Sequence, residues 1–390
     1  MSDTFSEIRD SQAVTALSAG GAGDFGKTGC RIASHMRLIH SKLLITSLAV
    51  AAFACAARAQ NDLSLPDISQ AAEVKQRIAL TDINIKYHRP LVNGRKIWGG
   101  LVPYGQVWRA GANENTVFEV SDPVTIEGQA LPKGVYGLHA IPTADTWTII
   151  FSKTNTGWGC YSYKQDEDAL RVTVKPRPLQ ENEEALEYEF EDLKPTSATV
   201  TLKWEKLAVP FKVAVTDQTT LDNIRAQMKG RGQFTWQSPD EAAQFCLSHN
   251  IDLEQGLKWA DLSIANEERF DNLSTKTDLL RALHKDDEGN KTWTKALEKA
   301  TAVQLYSYGR RQQNAKKSEQ GLSIMKEVAK RYPQDLYGHL AQARVDSAAG
   351  DFSGAVDEAK KAQAAAPSDA QKASVQSLID RLQSHQDINK

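Results

Sequence analysis

The stretch Asp82-Ile83-Asn84-Ile85-Lys86-Tyr87 alternates strictly between polar and apolar side chains. Successive side chains of a strand point to opposite sides, so this period predicts a β-strand with one buried face. Turn sequences such as Asn93-Gly94 and Pro132-Lys133-Gly134 separate further runs of the same kind. These runs cover residues 117–120, 124–126, 135–141, 147–151, 172–174, 186–190, 200–204 and 211–215. About nine short strands without an intervening helix predict an antiparallel β-sandwich or jelly-roll-like domain over residues 71–217.

The apolar period changes to that of helices from residue 218 onward. Predicted helices lie near residues 252–265, 275–283, 292–306, 318–331, 336–349, 353–366 and 370–384. The last residues, 387–390, follow the final helix and are predicted to be a frayed tail. The sequence therefore predicts two domains, a β domain followed by an α-helical domain over residues 218–390.

The end of the helical region repeats itself. Pro333 and Pro367 close two successive units, and Gly350-Asp351-Phe352 forms a turn signal between them. Small residues, Ala343 and Ala355, occur where paired helices would touch. This pattern is similar to the tetratricopeptide repeat, although earlier units are more degenerate. Such an array either offers a surface for a protein partner or serves as a helical cap packed on the β domain, and both alternatives stay open.

An apolar run near the start of the chain resembles a secretory signal. Leu43–Ala54 follows a basic segment and precedes Ala57-Arg58-Ala59, which fits the small-x-small cleavage rule. The run is shorter than the ~18 residues that a membrane span requires. We therefore expect a signal peptide over residues 36–59, an exported periplasmic or extracellular protein, and no transmembrane span after cleavage. A lipoprotein through Cys55 is disfavoured because the residues before it fit lipidation poorly.

The position of this signal indicates that Met36 is the initiator. Residues 1–35 would then be a non-native or disordered leader, and residues 60–70 a linker. Cleavage removes Cys30 and Cys55, which leaves Cys160 and Cys246 in different predicted domains. Two separate free thiols are favoured over a disulfide, because two cysteines do not make a framework.

One nucleotide-binding motif occurs but lacks its structural setting. Residues 21–28 match G-x-x-x-x-G-K-[ST], yet they precede the predicted signal and follow only a weak strand. We therefore expect no cofactor. No cysteine and histidine cluster has zinc spacing, so we expect no metal. The formal net charge of −2 provides no strong field for nucleic acid, and we expect no nucleic-acid partner.

Residues 87–116 combine arginine, tryptophan, tyrosine and glycine unusually densely. Planar guanidinium groups and rings on a glycine-rich backbone suit a cleft for a polar small ligand. The alternative is structural, with Trp98 and Trp108 filling the core and arginines capping loop carbonyls. His139 follows on a later strand and is added as a possible acid–base group beside His88. The candidate ligand-binding residues are Tyr87, His88, Arg89, Arg95, Trp98, Trp108, Arg109, Asn113, Glu114 and His139.

The same residues carry a family resemblance. Tyr87-His88-Arg89-Pro90, the segment Leu101–Gly105, the segment Val107–Glu114 and the sequence Gly134-Val135-Tyr136 are similar to the exported bacterial family catalogued as domain of unknown function 2911. The resemblance implies export and a β fold but no reaction. Where that family often has threonine after the arginine, this chain has Ala110, which argues against a hydroxyl role there.

Two functions follow from these patterns. The favoured hypothesis is an exported envelope binding or scaffold protein, with a polar small molecule or glycan on the β domain and a protein partner on the helices. The alternative is an envelope hydrolase with its site in the loop of Arg109, Asn113 and Glu114. No complete catalytic constellation appears in the sequence, so the enzyme hypothesis is the weaker one.

Overall fold

The computed structural model describes residues 66–389. The predicted leader at 1–35, the signal at 36–59 and most of the linker lie outside the described residues. The chain from Asp67 onward forms one compact unit.

The first part of this unit consists of two antiparallel sheets. One sheet has the strand order β1-β2-β3-β6-β7-β8 and the other has the order β5-β4-β10-β9. The strands are β1 (Gln70–Ile78), β2 (Thr81–Arg89), β3 (Thr116–Val120), β4 (Val124–Ile126), β5 (Gln129–Leu131), β6 (Gly134–Pro142), β7 (Trp147–Ser152), β8 (Asp168–Val174), β9 (Arg177–Lys194) and β10 (Ser197–Ala214).

The apolar face predicted for the opening stretch lies in the core. Ile83 and Ile85 are completely buried, and Tyr87 is 6 % exposed. Side chains of the second sheet, including Val200 and Phe211, belong to the same core cluster. Burial of these apolar side chains against each other is the main stabilisation of the two-sheet domain.

Two features of the sheets differ from the prediction. The first difference is β1, a strand that was not predicted and whose first residue falls in the predicted linker. It pairs with β2 along its whole length, from Gln70 with Arg89 to Ile78 with Thr81. The predicted strands 200–204 and 211–215 are one continuous strand, β10. Register shifts around Glu205, whose φ is +55°, bend this strand and interrupt its alternation.

The second part of the unit is helical. Its helices are α1 (Asp217–Gln227), α2 (Gln237–His249), α3 (Leu253–Asn266), α4 (Phe270–Ala282), α5 (Asp286–Lys299), α6 (Ala302–Asn314), α7 (Ser318–Arg331), α8 (Leu336–Ala349), α9 (Phe352–Ala365) and α10 (Asp369–Gln383). Short 3₁₀ turns occupy Gln165–Glu167 and Arg231–Phe234. The helical part joins the β part where Thr219 Oγ1 donates to the carbonyl of Pro123 at 3.1 Å.

The helices follow each other at nearly constant intervals. The even-numbered helices from α2 to α10 begin at Gln237, Phe270, Ala302, Leu336 and Asp369 in turn. The odd-numbered helices from α3 to α9 begin at Leu253, Asp286, Ser318 and Phe352. This regular spacing extends well upstream of the pair of prolines from which it was predicted.

The helix predicted over residues 292–306 is wrong, because two helices occupy that stretch. α5 ends at Lys299, and α6 begins after Thr301. The Thr301 hydroxyl accepts from the amide of Gln304, and the Gln304 side chain accepts from the amide of Thr301. This capping box satisfies the first amides of α6 and fixes the break.

The frayed tail predicted at the end of the chain is also wrong for the residues that the structure describes. Ile388 is 1 % exposed and belongs to a core cluster with Leu340 and Ile379. Its amide donates to Ser347 Oγ at 3.1 Å. Within residues 66–389, none of the helices combines the length and apolar character that a bilayer crossing requires.

Candidate functional site

His88 and His139 lie on the face of the six-stranded sheet that points away from the core. Their neighbours in sequence, Tyr87 and Leu138, point into the core. His139 pairs with Ile150 across β6 and β7, and both side chains are almost completely buried. Loop residues must therefore cover this outer face of the sheet.

A cleft of about 460 Å³ opens on this outer face. β1 and β2 form its floor, since Ala71 pairs with His88 and Glu73 pairs with Lys86. The loop before β3 forms its wall. The lining residues are Ala71, Ala72, Glu73, Lys86, Tyr87, His88, Glu114 and Asn115.

His88 lies between two carboxylates at this cleft. Its Nδ1 is 3.5 Å from Glu114 Oε2, and its Nε2 is 3.6 Å from Asp67 Oδ2. The His88 side chain is 17 % exposed, whereas both carboxylates are 56 % exposed. Both carboxylates can accept hydrogen bonds from a ligand.

The loop from Arg109 to Glu114 is held by contacts to the carbonyl of Asn113. Arg109 Nη1 donates to the carbonyl of Asn113 at 2.9 Å, and that carbonyl also accepts from the amide of Gly159 at 3.3 Å. Asn113 has a φ of +55°, a conformation that asparagine tolerates better than most residues. Glu114 pairs with Trp158 in an isolated β-bridge. Two loops, 109–114 and 157–161, thus form one rim.

Exposed aromatic side chains stand on that rim. Trp158 is 57 % exposed and Tyr161 is 92 % exposed. Large aromatic rings that remain open to solvent beside a cleft are typical of sites that stack on a planar or cyclic ligand.

A cluster of three side chains, Asn115, His139 and Cys160, lies beneath the rim. Asn115 Nδ2 is 3.1 Å from His139 Nε2, and Cys160 Sγ is 4.0 Å from His139 Nδ1. Burial lowers the pKa of His139 to about 4, against a smaller opposing effect of Asp168. Burial raises the pKa of the Cys160 thiol, and Arg109 opposes that shift. At neutral pH the histidine and the thiol are therefore both uncharged.

Asn115 also carries an unsatisfied atom. Its Oδ1 is buried and has no hydrogen-bond partner among the described residues. An amide rotated by half a turn would let Oδ1 accept from His139 Nε2–H and leave the Asn115 amide group facing the loop of Gly157. Either arrangement leaves one buried polar group of Asn115 against the loop of Gly157.

Three of the remaining sequence candidates, all aromatic, pack against other side chains of the β domain. Trp98 and Trp108 pack with Trp147 and Trp204 at ring separations of 4.8 to 6.3 Å; the Trp108 and Trp204 rings stack, and the other pairs meet edge-on. Tyr87 packs edge-on against Tyr188 at 4.9 Å, although it also borders the cleft. These rings match the structural alternative in which the tryptophans fill the sandwich.

Two arginine candidates donate to backbone carbonyls of the fold. Arg89 Nε donates to the carbonyl of Leu186 at 2.9 Å and its Nη2 forms a salt bridge with Glu187. Arg95 donates to the carbonyls of Val92 and Leu91. The ten candidates therefore divide into a structural group and a group around the cleft. The cleft group is His88, Arg109, Asn113, Glu114 and His139. Ligand binding by these five stays a prediction.

Sequence reasoning missed three contributors to the site: Asp67, Glu73 and Asn115. Asp67 and Glu73 come from a segment whose strand pairing with β2 was not foreseen. Asn115 directly follows two candidates, and its burial at 6 % exposure distinguishes it from them. Within residues 66–389, no group of three or more histidine, cysteine or acidic side chains is placed to hold a metal ion. Cys160 and Cys246 are both free thiols, as expected.

Comparison with known proteins agrees with the division of the chain into a β part and a helical part. No curated protein matches the sequence. Residues 69–213 match a family described as protein of unknown function (DUF2911), a range that coincides with the two sheets. The segment that matches this family model consists of two antiparallel sheets, and a region of ten helices follows it over residues 217–383.

Proposed function

We propose that the protein is an exported binding protein of the cell envelope, in which the β domain binds a hydroxyl-rich small ligand or glycan and the helical region binds a protein partner. Export rests on the signal-like segment 36–59 and on the resemblance to an exported family. The observation that carries ligand binding is the pairing of the open cleft at His88 and Glu114 with the exposed Trp158 on the same rim.

The charges at the cleft favour a neutral, hydroxyl-rich ligand over an anion. Glu73 and Glu114 line the cleft together with one lysine, Lys86. Carboxylate oxygens accept hydrogen bonds from hydroxyl groups but repel phosphate or carboxylate groups. An exposed indole provides an apolar platform on which the face of a sugar ring packs while its hydroxyls remain free to hydrogen bond.

Oligosaccharide binding by two variants tests this proposal. Titration calorimetry with neutral chito-, malto- and xylo-oligosaccharides should reveal binding tighter than about 1 mM for at least one series. Trp158→Ala should weaken it roughly tenfold through lost stacking. Glu114→Gln keeps the shape of the side chain and should also weaken it, because the charge-assisted hydrogen bond is lost.

The matched control is Phe234→Ala, which removes an aromatic ring that is 75 % exposed but lies in the helical region. This variant should bind like the unmodified protein. Equal affinity in all four proteins would contradict the assignment of the cleft.

For the helical region we propose tetratricopeptide-like repeats. The support is the regular spacing of successive helix pairs, which advance by roughly one tetratricopeptide unit at each step. Each second helix also carries a small residue at its fourth position: Gly256, Gly289, Gly321 and Ala355. Small residues at these sites let the two helices of a pair approach closely, as stacked repeats require.

An envelope hydrolase is the second candidate, and one observation favours it. Cys160, His139 and Asn115 form a chain of contacts that resembles a nucleophile, a base and an orienting amide. In this reaction Sγ would form a bond to an acyl carbon as its proton passes to His139 Nδ1. The proton would then leave with the departing alkoxide, and water would hydrolyse the thioester. The uncharged resting state of both groups makes this thiol a poor nucleophile.

Hydrolysis of p-nitrophenyl acetate separates the two candidates. A hydrolase should release p-nitrophenolate with a burst that Cys160→Ala removes and that iodoacetamide blocks. The binding proposal expects the same slow rate for Cys160→Ala, for the control Cys246→Ala and for the unmodified protein. A burst that depends on Cys160 would overturn the preference for binding.

A further inference from the structure

The final described residues lie across one face of the helical region. α6, α8 and α10 are the first helices of successive pairs, and the chain after α10 returns to them. We name the contacted surface the first-helix face and define it by Gln313, Arg344, Ser347 and Arg381. It binds the segment Asp387–Asn389, called the tail below.

Three of these contacts are with the backbone of the tail. Arg344 Nη1 donates to the carbonyl of Ile388, and Ser347 Oγ accepts from its amide at 3.1 Å. Arg381 Nη2 donates to the carbonyl of Asp387 at 3.0 Å. A surface that satisfies backbone groups in this way can hold an extended peptide from any source.

Side-chain contacts add specificity. Asn389 is bound at both ends of its amide, since its Oδ1 accepts from Gln313 Nε2 and its Nδ2 donates to the carbonyl of Arg344, both at 2.9 Å. The Ile388 side chain fills an apolar site and is 1 % exposed. Asp387 Oδ1 accepts from Ser347 Oγ at 3.0 Å. The face thus holds an acidic residue, an aliphatic residue and an amide in that order.

The charge of the face fits an acidic segment. Burial lowers the pKa of Arg310, and the charges of Arg344 and Arg381 lower it further. Neither Arg310 nor Arg344 forms a salt bridge within the part of the chain that the structure describes. Arg344 is only 5 % exposed, and its Nε donates to Tyr306 Oη at 2.7 Å. Buried cations of this kind are stabilised by a nearby anion.

We propose that the first-helix face is the docking site for an extended peptide of a partner protein with acidic, aliphatic and amide side chains in succession, and that the tail occupies this site as an internal competitor. The inference rests on the protein-partner half of the proposed function. The tail presents a single deeply buried side chain, so its release requires only local opening. Its attachment to α10 gives it an effective concentration on the order of millimolar, which a free peptide must exceed.

Fluorescence anisotropy with a labelled peptide tests the proposal. The probe is the fluorescein-labelled peptide Gln-Asp-Ile-Asn-Lys, which has the sequence of residues 386–390. A full chain truncated after His385 should bind this probe at least tenfold more tightly than the intact chain, because the competitor is absent. A control peptide with aspartate in place of the isoleucine should bind neither protein.

Intact Ile388→Asp provides a second route to an open site without shortening the chain. It should also bind the probe more tightly than the unmodified protein. Equal probe binding by intact and opened chains would overturn the proposal. So would a loss of folding in both opened chains, because the tail would then be a structural clasp. A concentration-dependent dimer of the intact chain would indicate tail exchange between copies and would also overturn it.

The oligosaccharide titration on the same truncated chain keeps the two proposals apart. Retained sugar binding without probe binding would defeat only the docking inference. Loss of sugar binding in intact Trp158→Ala or Glu114→Gln would bear only on the β domain and would leave the docking inference unchanged.

Discussion

His139 and Asn115 are polar residues that are almost completely buried, at 2 % and 6 % exposure. The sequence singled out His139 as an acid–base candidate beside His88. It did not indicate that Asn115 contacts this histidine, because the contact joins residues that are distant along the chain. Trp98 and Trp108 illustrate the opposite case. Their composition suggested a cleft, but only the packing against Trp147 and Trp204 identifies them as core.

The buried histidine predicts a loss of stability in acid. The pKa of His139 is about 4 when folded, against about 6.5 when unfolded. Its contribution is therefore full above pH 6.5 and is lost as the pH falls towards 4, by on the order of 2 kcal/mol. Urea unfolding of His139→Gln between pH 7 and pH 4 should show a smaller fall in the free energy of unfolding than the unmodified protein shows.

The control for this prediction is His284→Asn. His284 is exposed and has a φ of +60°, which asparagine tolerates. This variant should keep the full acid dependence. If His139→Gln loses as much stability in acid as the unmodified protein, the buried histidine is not its source.

At the scale of elements, the sequence predicted strands and helices well where their period was unbroken. β2 and α7 lie where they were expected. The break between α5 and α6 was missed although Thr301 and Gln304 are spaced as a capping box. The long strand β10 was read as two because its bulges shift the period. Local patterns fail where a cap or a bulge, rather than burial, determines the backbone.

Two glycines at equivalent helix positions test how closely the helices of a pair approach. A Cβ added at Gly321 would lie 2.4 Å from Gln313 Cγ and 2.8 Å from the carbonyl oxygen of Gly309. At Gly289 the closest atom would be Arg281 Cγ at 3.4 Å. Gly321→Ala should lower the free energy of unfolding by about 1–3 kcal/mol through overpacking.

Gly289→Ala is the matched control for that substitution. It should be neutral or stabilising by roughly 0.5–1 kcal/mol, because alanine favours the helix and finds room there. Thermal and urea unfolding followed by circular dichroism measure both variants. Equal changes in the free energy of unfolding would contradict the closer approach described at Gly321 than at Gly289.

For the whole molecule, composition and period indicated the order of the two parts, a β domain and then helices. They did not indicate that the tail folds back, since its polar sequence Asp387-Ile388-Asn389 has no period and its partners lie on α6 and α8. Nor did they locate the cleft, which depends on the pairing of β1 with β2. Long-range pairing is the information that a local sequence pattern does not carry.

Native mass spectrometry of the protein recovered from its own cell envelope tests the central proposal most directly. We expect a polypeptide that begins at Gln60 and carries a neutral, hydroxyl-rich ligand, with the bound fraction reduced in Glu114→Gln and in Trp158→Ala but not in Phe234→Ala. A ligand that is retained equally in all four proteins, or an envelope protein that carries none, would contradict the proposal that this cleft binds a glycan.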